Sequence, residues 1–376
     1  MDKKSGISYK PHKSILSTGS GDMKNIYLQL LDHQSGTSHL VLATVTRTHG
    51  STPQKPGSSA LFDTKGLICG TVGGGIVEGK VQKLALNAII LNKSGHFQFN
   101  LANDISKTEE AICGGQISVL IDANLNNYFN IFQQVKSSIE NRIPGVLITM
   151  VTGFSEETVL INRYWMNDKF KPAIPDVFIK KIEPVVMNML YEGNPSDYRE
   201  LELTIPGEEP LSLFFLEPIF PPAHLIIAGA GHIGKALAHL ADMLDFEVTV
   251  IDDRPEYANT ENISEANHII VKDIGKAMQE LKKSNDTYVV IVTRGHKDDA
   301  AALKPCIGSD LAYTGMIGSK NKIATMRESF IEKGWATAKQ WDAIYAPVGL
   351  DIKSKTVEEI ALSIAAQLAL VRNSRK

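Results

Sequence analysis

Cysteine is scarce in this chain: Cys69, Cys113 and Cys306 are the three in 376 residues, and no Cys-x-x-Cys spacing occurs among them. So sparse and odd a set excludes a disulfide framework and a structural zinc knuckle, and it points to a reducing compartment. Excess charge of either sign is lacking too. Thirty-nine Lys and Arg against 42 Asp and Glu leave a net charge of −3, far from the basic surplus that drives counterion-release binding to nucleic acid. No uninterrupted apolar run approaches the roughly 20 residues that span a bilayer. Residues 360–371 come nearest and are interrupted by Ser363 and Gln367. Lysines at 3, 4, 10 and 13 precede no apolar segment, so residues 1–21 lack the form of a secretory signal and read as a flexible tail. The expectation is a cytoplasmic protein that engages neither membrane nor nucleic acid.

What is present is an ordinary globular composition, 43% hydrophobic and 22% charged, which excludes a disordered or collagen-like chain. At about 150 residues per domain the length accommodates two domains, or three. The segment Glu217-Pro218-Ile219-Phe220-Pro221-Pro222 breaks regular structure and places a boundary between residues 22–220 and 221–376.

Ahead of that boundary, a strand is expected over His39 to Thr46 and a short one over Ser59 to Phe62, separated by the turn-forming His49 to Gly57. Gly73-Gly74-Gly75 then feeds a helix, because Val77, Lys80, Val81, Leu84 and Ala88 recur at helical spacing through Leu91. Another strand is expected over Ile117 to Ile121. Residues 125–220 read as weak strands at Val146 to Val151, Val159 to Ile161 and Leu211 to Leu216, with a helix near Pro175 to Tyr191. This stretch carries few convergent polar residues and completes the first domain.

Beyond the boundary, strand and helix alternate, the pattern of a parallel sheet with crossover helices. Strands are expected at Leu225 to Ala228, Glu247 to Ile251, His268 to Val271, Tyr288 to Val292, Leu311 to Thr314 and Ala343 to Tyr345. The last helix opens on a capping box, Thr356 with Glu359, and carries an apolar stripe of Ile360, Ile364, Leu368 and Val371.

Gly229-Ala230-Gly231-His232-Ile233-Gly234 follows an apolar strand and opens a helix, and the next strand ends at Asp252. With strand, helix and acid all in place this is a dinucleotide-binding fingerprint: the glycines allow a tight turn, backbone approach to a pyrophosphate and close helix packing. Asp252 would bond a ribose diol, as in an NAD site, whereas Arg254 beside it pulls toward NADP. In an open parallel sheet ligands bind beyond the carboxyl ends of the strands, so the loops bearing Asp252 and Arg254, Thr293 to Asp299, Gly315 to Lys320 and Pro347 to Asp351 form one candidate rim. Gly318 and Ser319, with Lys320 and Lys322 nearby, have the form of a second anion cradle or of a capped helix with solvated lysines. His296, next to Asp298 and Asp299, is a candidate ligand contact, or an acid, base or metal ligand, or a surface histidine.

In the first domain Arg47, His49 and Lys55 flank a turn suited to an anion, and Gly73, Gly74 and Gly75 present backbone donors one turn before Glu78. Cys113-Gly114-Gly115 sets a thiol beside flexible backbone, where it can be exposed with its pKa lowered by nearby N–H groups or cations, or can be an inert buried thiol. Cys69 and Cys306 read as structural.

The blocks Ala43 to Pro53, Gly70 to Gly79 and Cys113-Gly114-Gly115 resemble the amino-terminal domain of the XdhC/CoxI family, the xanthine dehydrogenase accessory factors. Gly229 to Gly234, Asp252-Asp253-Arg254-Pro255, Gly315 to Ser319 and Ala346 to Ile352 resemble that family's carboxy-terminal Rossmann domain, in the same order. The chain departs from the pattern at Arg294, often His in the family, and at Gln367, often Glu. The resemblance implies an α/β protein, a Rossmann-like doubly wound parallel sheet preceded by a mixed α+β domain. It further implies a maturation factor that binds molybdenum cofactor (molybdopterin, mono- or dinucleotide) and assists its sulfuration by a cysteine desulfurase. Delivery to the apo-enzyme of a molybdenum hydroxylase such as xanthine dehydrogenase would follow. On this reading the protein is a cofactor-binding chaperone rather than a catalyst with its own turnover, Cys113 is a sulfur relay, a molybdenum ligand or a structural residue, and the glycine loops hold the cofactor. A homodimer is expected as well. The competing reading is an NAD(P)-dependent oxidoreductase working through Gly229 to Gly234, Asp252 and His296.

Overall fold

In the computed structural model of the chain, residues 25–33, 39–101, 115–154, 158–192, 197–204 and 212–374 are described. The expected tail over 1–21, and Cys113 and Gly114, lie outside them. The chain divides into two compact units, one ending at Pro221 and the other beginning at Pro222.

The first unit opens with a short helix α1 (Ile26–His33) and strand β1 (Val41–His49). There follow β2 (Ser59–Asp63), β3 (Gly66–Gly70), helix α2 (Gly75–Leu91), β4 (Gly95–Asn100) and β5 (Gln116–Asp122). These strands make one antiparallel sheet in the order β3-β2-β1-β5-β4. Residues 41–46 of β1 are all buried, and the alternation of side chains across a strand explains why. Val41, Ala43 and Val45 pack with Val77, Val81 and Ala85 of α2, whereas Leu42 packs with Tyr27 and Leu30 of α1 and Phe132 of α3 (Phe129–Glu140).

A second antiparallel sheet follows, built from β6 (Gly145–Thr152), β7 (Leu160–Met166), β8 (Arg199–Leu203) and β9 (Ser212–Ile219) in the order β7-β6-β9-β8. Helix α4 (Asp176–Tyr191) covers it through Phe178, Ile182, Val186 and Met189. The periodicity of residues 125–220 did not reveal α3 or β8; β8 is five residues of Arg, Glu and Leu, and its place is set by pairing with β9 rather than by strand-forming residues.

The second unit is doubly wound. Strands β10 (His224–Ala228), β11 (Glu247–Asp252), β12 (His268–Val271), β13 (Thr287–Ile291) and β14 (Tyr313–Met316) pair in parallel in the order β12-β11-β10-β13-β14. Helices α5 (His232–Met243) and α10 (Val357–Ser374) bury Leu237, Ala241, Ile364 and Leu368 against one face of the sheet. On the opposite face lie α6 (Ile274–Glu280), α7 (His296–Leu303), α8 (Lys320–Glu332) and α9 (Ala338–Asp342), bringing Met278, Leu303, Phe330 and Trp341. The expected capping box of α10 is present: Glu359 N–H donates to Thr356 Oγ1 at 3.2 Å and Thr356 N–H to Glu359 Oε2 at 3.0 Å. Two expectations need correction. The strand expected over Leu311 to Thr314 lies at Tyr313–Met316, and Ala343 to Tyr345 is no strand but a single parallel bridge from Tyr345 to Gly315. The capped helix α9, with Thr337 as its N-cap, occupies the chain up to Asp342, so the backbone reaches the sheet only at Tyr345.

Candidate functional site

The carboxyl ends of the second unit's strands gather the loops that the sequence placed on one rim. Gly229 has φ +118, and a Cβ there would stand 2.5 Å from the Val292 carbonyl oxygen, so the loop after β10 lies directly on the loop after β13. At Gly234 a Cβ would meet the Gly229 carbonyl oxygen at 1.9 Å, which fixes the close approach of α5 to its strand. Gly231, the N-cap of α5, has open space on its Cβ side. His232, the first residue of the helix, is exposed.

Asp252 behaves differently from the free diol acceptor that its position suggested. It is 2% exposed, and its Oδ2 accepts from the Ala230 N–H at 2.8 Å and from Arg254 Nη2 at 2.9 Å. Its Oδ1 accepts from the Arg254 backbone N–H at 3.0 Å and from Arg254 Nε at 2.8 Å. Burial pushes this carboxyl up, but the hydrogen bonds from Arg254 and from the backbone of Ala230 and Arg254 outweigh it and hold it at about 2. Arg254 is itself seated on the ring of Tyr257, 4.0 Å from its centroid.

The loop after β13 is tied in by charge. Arg294 reaches Asp253 at 3.1 Å and Asp298 at 3.7 Å. The buried Asp299 accepts from Thr293 Oγ1 at 2.5 Å and from the Lys322 ammonium on α8. His296 stands exposed at the first position of α7, and the two aspartates expected to tune it are committed to these other partners. Ser319 is the N-cap of α8, its Oγ accepting from the Lys322 N–H at 3.3 Å, and Gly318 precedes it. At the far end of the rim Gln367 Oε1 accepts from the Tyr313 hydroxyl at 2.5 Å and the Gly349 N–H at 2.8 Å. A neutral amide oxygen thus satisfies two donors where a carboxylate was the expected residue type.

In the first unit the turn after β1, the Gly73 to Gly75 loop and Gly115 converge at one end of the first sheet. His49 pairs with Gln116 across β1 and β5, and a Cβ on Gly115 would lie 2.5 Å from the carbonyl oxygens of both His49 and Ser51. A Cβ on Gly73 would lie 2.8 Å from the Pro53 ring. The turn after β1 is therefore held between the glycine loop and Gly115. Gly73, Gly74 and Gly75 all have positive φ (135, 65 and 55). Gly74 is the N-cap of α2 at φ 65, ψ 179, and no side chain caps that helix. That backbone region is essentially open to glycine alone. No atom comes within 4 Å of where a Cβ would stand on Gly74 or Gly75, so the loop is an open cradle at a helix N-terminus, where N–H groups and the helix dipole favour an anion.

Glu78, placed by that cradle, and Arg47, assigned to the neighbouring anion-suited turn, are both engaged with protein partners. Glu78 Oε2 accepts from the Thr71 hydroxyl at 2.8 Å, and Thr71 Oγ1 accepts in turn from the Gly73 N–H at 3.2 Å. Arg47 donates to Glu200 at 2.9 Å through Nε and to Glu202 at 2.9 Å through Nη2. His49 and Lys55 are exposed. Cys69 and Cys306 are buried, and burial pushes the Cys306 thiol up to about 12. Among the described residues no group of three His, Cys, Asp or Glu is placed to hold a bare metal ion.

The expectation of few polar residues in the middle stretch is corrected by a cavity of about 10 Å³, lined by Thr44, Leu120, Thr149, Arg163, Tyr198, Phe215 and Glu217. Such a space admits about one water. Arg163 Nε donates to the buried Asp122 at 3.1 Å and its Nη1 to Thr149 at 3.0 Å, while the Tyr27 hydroxyl donates to Glu217. Burial pushes the Glu217 carboxyl up to about 7, against the Tyr27 hydrogen bond and the Arg163 charge that pull it down. The available signal was period two: Arg163 falls between Ile161 and Trp165, and Glu217 follows Phe215, on the inward face of a strand.

Residues 225–368 match the family model described as the XdhC Rossmann domain, and residues 34–100 match that of the XdhC and CoxI family. A protein of Bacillus subtilis (strain 168) described as a probable xanthine dehydrogenase subunit is 26% identical over 338 residues, covering 88% of this chain and 93% of its own. The uncharacterized protein YqeB of Escherichia coli (strain K12) is 31% identical over 151 residues, 40% of this chain and 27% of YqeB. A crystal structure described as a xanthine dehydrogenase from Bacillus halodurans superimposes with a TM-score of 0.73 at 24% identity, covering 95% of this chain and 97% of that one; it shares the fold. No helix among the described residues is long and apolar enough to cross a membrane.

Proposed function

The chain belongs to the XdhC and CoxI family, and from that premise we propose that it is an accessory factor for a molybdenum hydroxylase of the xanthine dehydrogenase type. It binds molybdenum cofactor, assists its sulfuration by a cysteine desulfurase and hands it to the apo-enzyme. The observation that carries this reading is the open cradle of Gly74 and Gly75 at the N-terminus of α2, with Gly73, the Pro53 turn and Gly115 beside it. A phosphate-bearing cofactor fits at Gly74 and Gly75, because no side chain caps the helix there and no atom lies within 4 Å of either Cβ position, whereas the Gly73 N–H is already given to Thr71.

On this reading the metal is carried within an organic cofactor. When bound, that cofactor supplies the molybdenum centre whose terminal sulfur is to be installed. The chain's own residues hold the phosphate at Gly74 and Gly75 and keep Glu78 clear of it against Thr71. Cys113, two residues before Gly115, is the candidate sulfur relay or metal ligand. A homodimeric, cytoplasmic state accompanies this proposal.

The test is to express the protein in a host that makes molybdenum cofactor, purify it gently, and assay bound molybdenum, released pterin and NAD together. The wild type is expected to retain pterin and molybdenum in near-equal amounts. Gly74→Val forces a side chain into a conformation costing about 1–3 kcal/mol and is expected to lose the cofactor; Cys113→Ala is expected to weaken retention or sulfuration with the fold intact. Unchanged retention and delivery in Cys113→Ala would remove the thiol from the mechanism. NAD retained without pterin would favour the oxidoreductase reading, with Gly229 to Gly234 and His296 at its centre.

A further inference from the structure

The rim of the second unit has the glycine loop of a dinucleotide site but not its free acid. In such a site the carboxylate ending the second strand accepts hydrogen bonds from the ribose 2′- and 3′-hydroxyls. A carboxylate has about four lone-pair positions. On Asp252 these are taken by the Ala230 N–H, the Arg254 N–H, Arg254 Nε and Arg254 Nη2, at 2.8, 3.0, 2.8 and 2.9 Å. Two of the four are a charge-assisted fork from one guanidinium, the strong form of this interaction. The guanidinium is braced from behind by the Tyr257 ring, and the carboxylate is 2% exposed. A diol has to displace Arg254 to be read.

We infer that Arg254 is a specificity residue that closes this rim to an unmodified ribose diol, so that the glycine loop serves phosphoryl ligands that make no diol contact with Asp252. NAD held in the usual manner is excluded by residue chemistry and not by lack of room at Gly231, whose Cβ side is open. The inference stands apart from the molybdenum-cofactor proposal, because it concerns only the second unit and uses a ligand that proposal does not require.

The experiment is calorimetric titration of the full-length protein with NAD and with its analogue 2′-deoxy in the adenosine ribose, for wild type, Arg254→Ala and Arg254→Met. The methionine keeps an apolar stem over Tyr257 and serves if the alanine variant fails to fold, which thermal melting reports. Freeing the carboxylate is expected to tighten NAD binding by about tenfold or more over wild type, in line with the worth of hydrogen bonds to a charged group, and to leave the deoxy analogue unmoved. Tight NAD binding by the wild type, no gain in either variant, or an equal gain for both ligands would each overturn the inference.

Discussion

At the scale of single residues, the glycines of the βαβ loop have separable structural roles. Gly234→Ala puts a methyl group 1.9 Å from the Gly229 carbonyl oxygen, and overpacking against backbone costs about 1–3 kcal/mol or more; urea unfolding of this variant is expected to show that loss. Gly231→Ala meets nothing within 4 Å and is expected to cost less than about 1 kcal/mol, the small penalty of alanine at an N-cap. Equal losses from the two would mean that the helix does not approach its strand as described. In the first unit, Arg163→Met leaves the fully buried Asp122 without its guanidinium and is expected to cost about 3–5 kcal/mol. Adding Asp122→Asn is expected to restore part of it, a coupling that a double-mutant cycle measures. The glycines were legible in the sequence because their requirements are backbone ones, fixed by spacing after a strand. The Asp252 to Arg254 fork was not, since spacing places both residues on the rim but leaves open whether they face a ligand or each other.

At the scale of elements, legibility followed burial pattern. Helix α2 and the strands β10 to β13 announce themselves through continuous or periodic apolar residues that the core demands. Helix α1 is eight residues long and β4 reads Gly-His-Phe-Gln-Phe-Asn, too short or too polar for periodicity to register, and tertiary pairing places both. The same holds for the polar centre between the two sheets of the first unit, whose members come from α1, β1, β5, β6, β7 and β9 and meet only in the fold. That centre has a pH signature. The Glu217 carboxyl sits at about 7 in the folded protein against 4.5 as its ordinary value, so between those values the folded state holds a proton that the unfolded state has released. Stability therefore falls as pH rises through that window, by at most about 1.4 kcal/mol per pH unit from this group. Glu217→Gln, which keeps an acceptor for Tyr27, is expected to flatten that slope and to raise stability above pH 7. Urea midpoints across the range decide it: an unchanged slope in the variant would assign the titration to another group.

At the scale of the whole molecule, each unit owns its hydrophobic core. The clusters around Leu237 and Met278 draw only on residues after Pro222, and those around Val41, Leu42, Ile148 and Leu120 only on residues before it. Residues 222–376 expressed alone are expected to unfold in one cooperative transition with near-native circular dichroism; a non-cooperative melt would show that this core is not sufficient. The proline-rich segment lies at that division, but the expectation that it breaks regular structure throughout needs correction: Glu217, Pro218 and Ile219 continue β9 in pairing with β6, and the strand ends only at Ile219.

The ion pairs around the rim, Arg254 with Asp252, Arg294 with Asp253 and Lys322 with Asp299, have a kinetic consequence. Charges that cancel within a few ångströms project little field into solvent, so these paired residues add little long-range pull on a phosphorylated ligand. That pull is left to the exposed Lys297 and Lys320 on the same loops, and the association rate at this rim should depend on ionic strength less steeply than at a cleft lined throughout by unpaired cations.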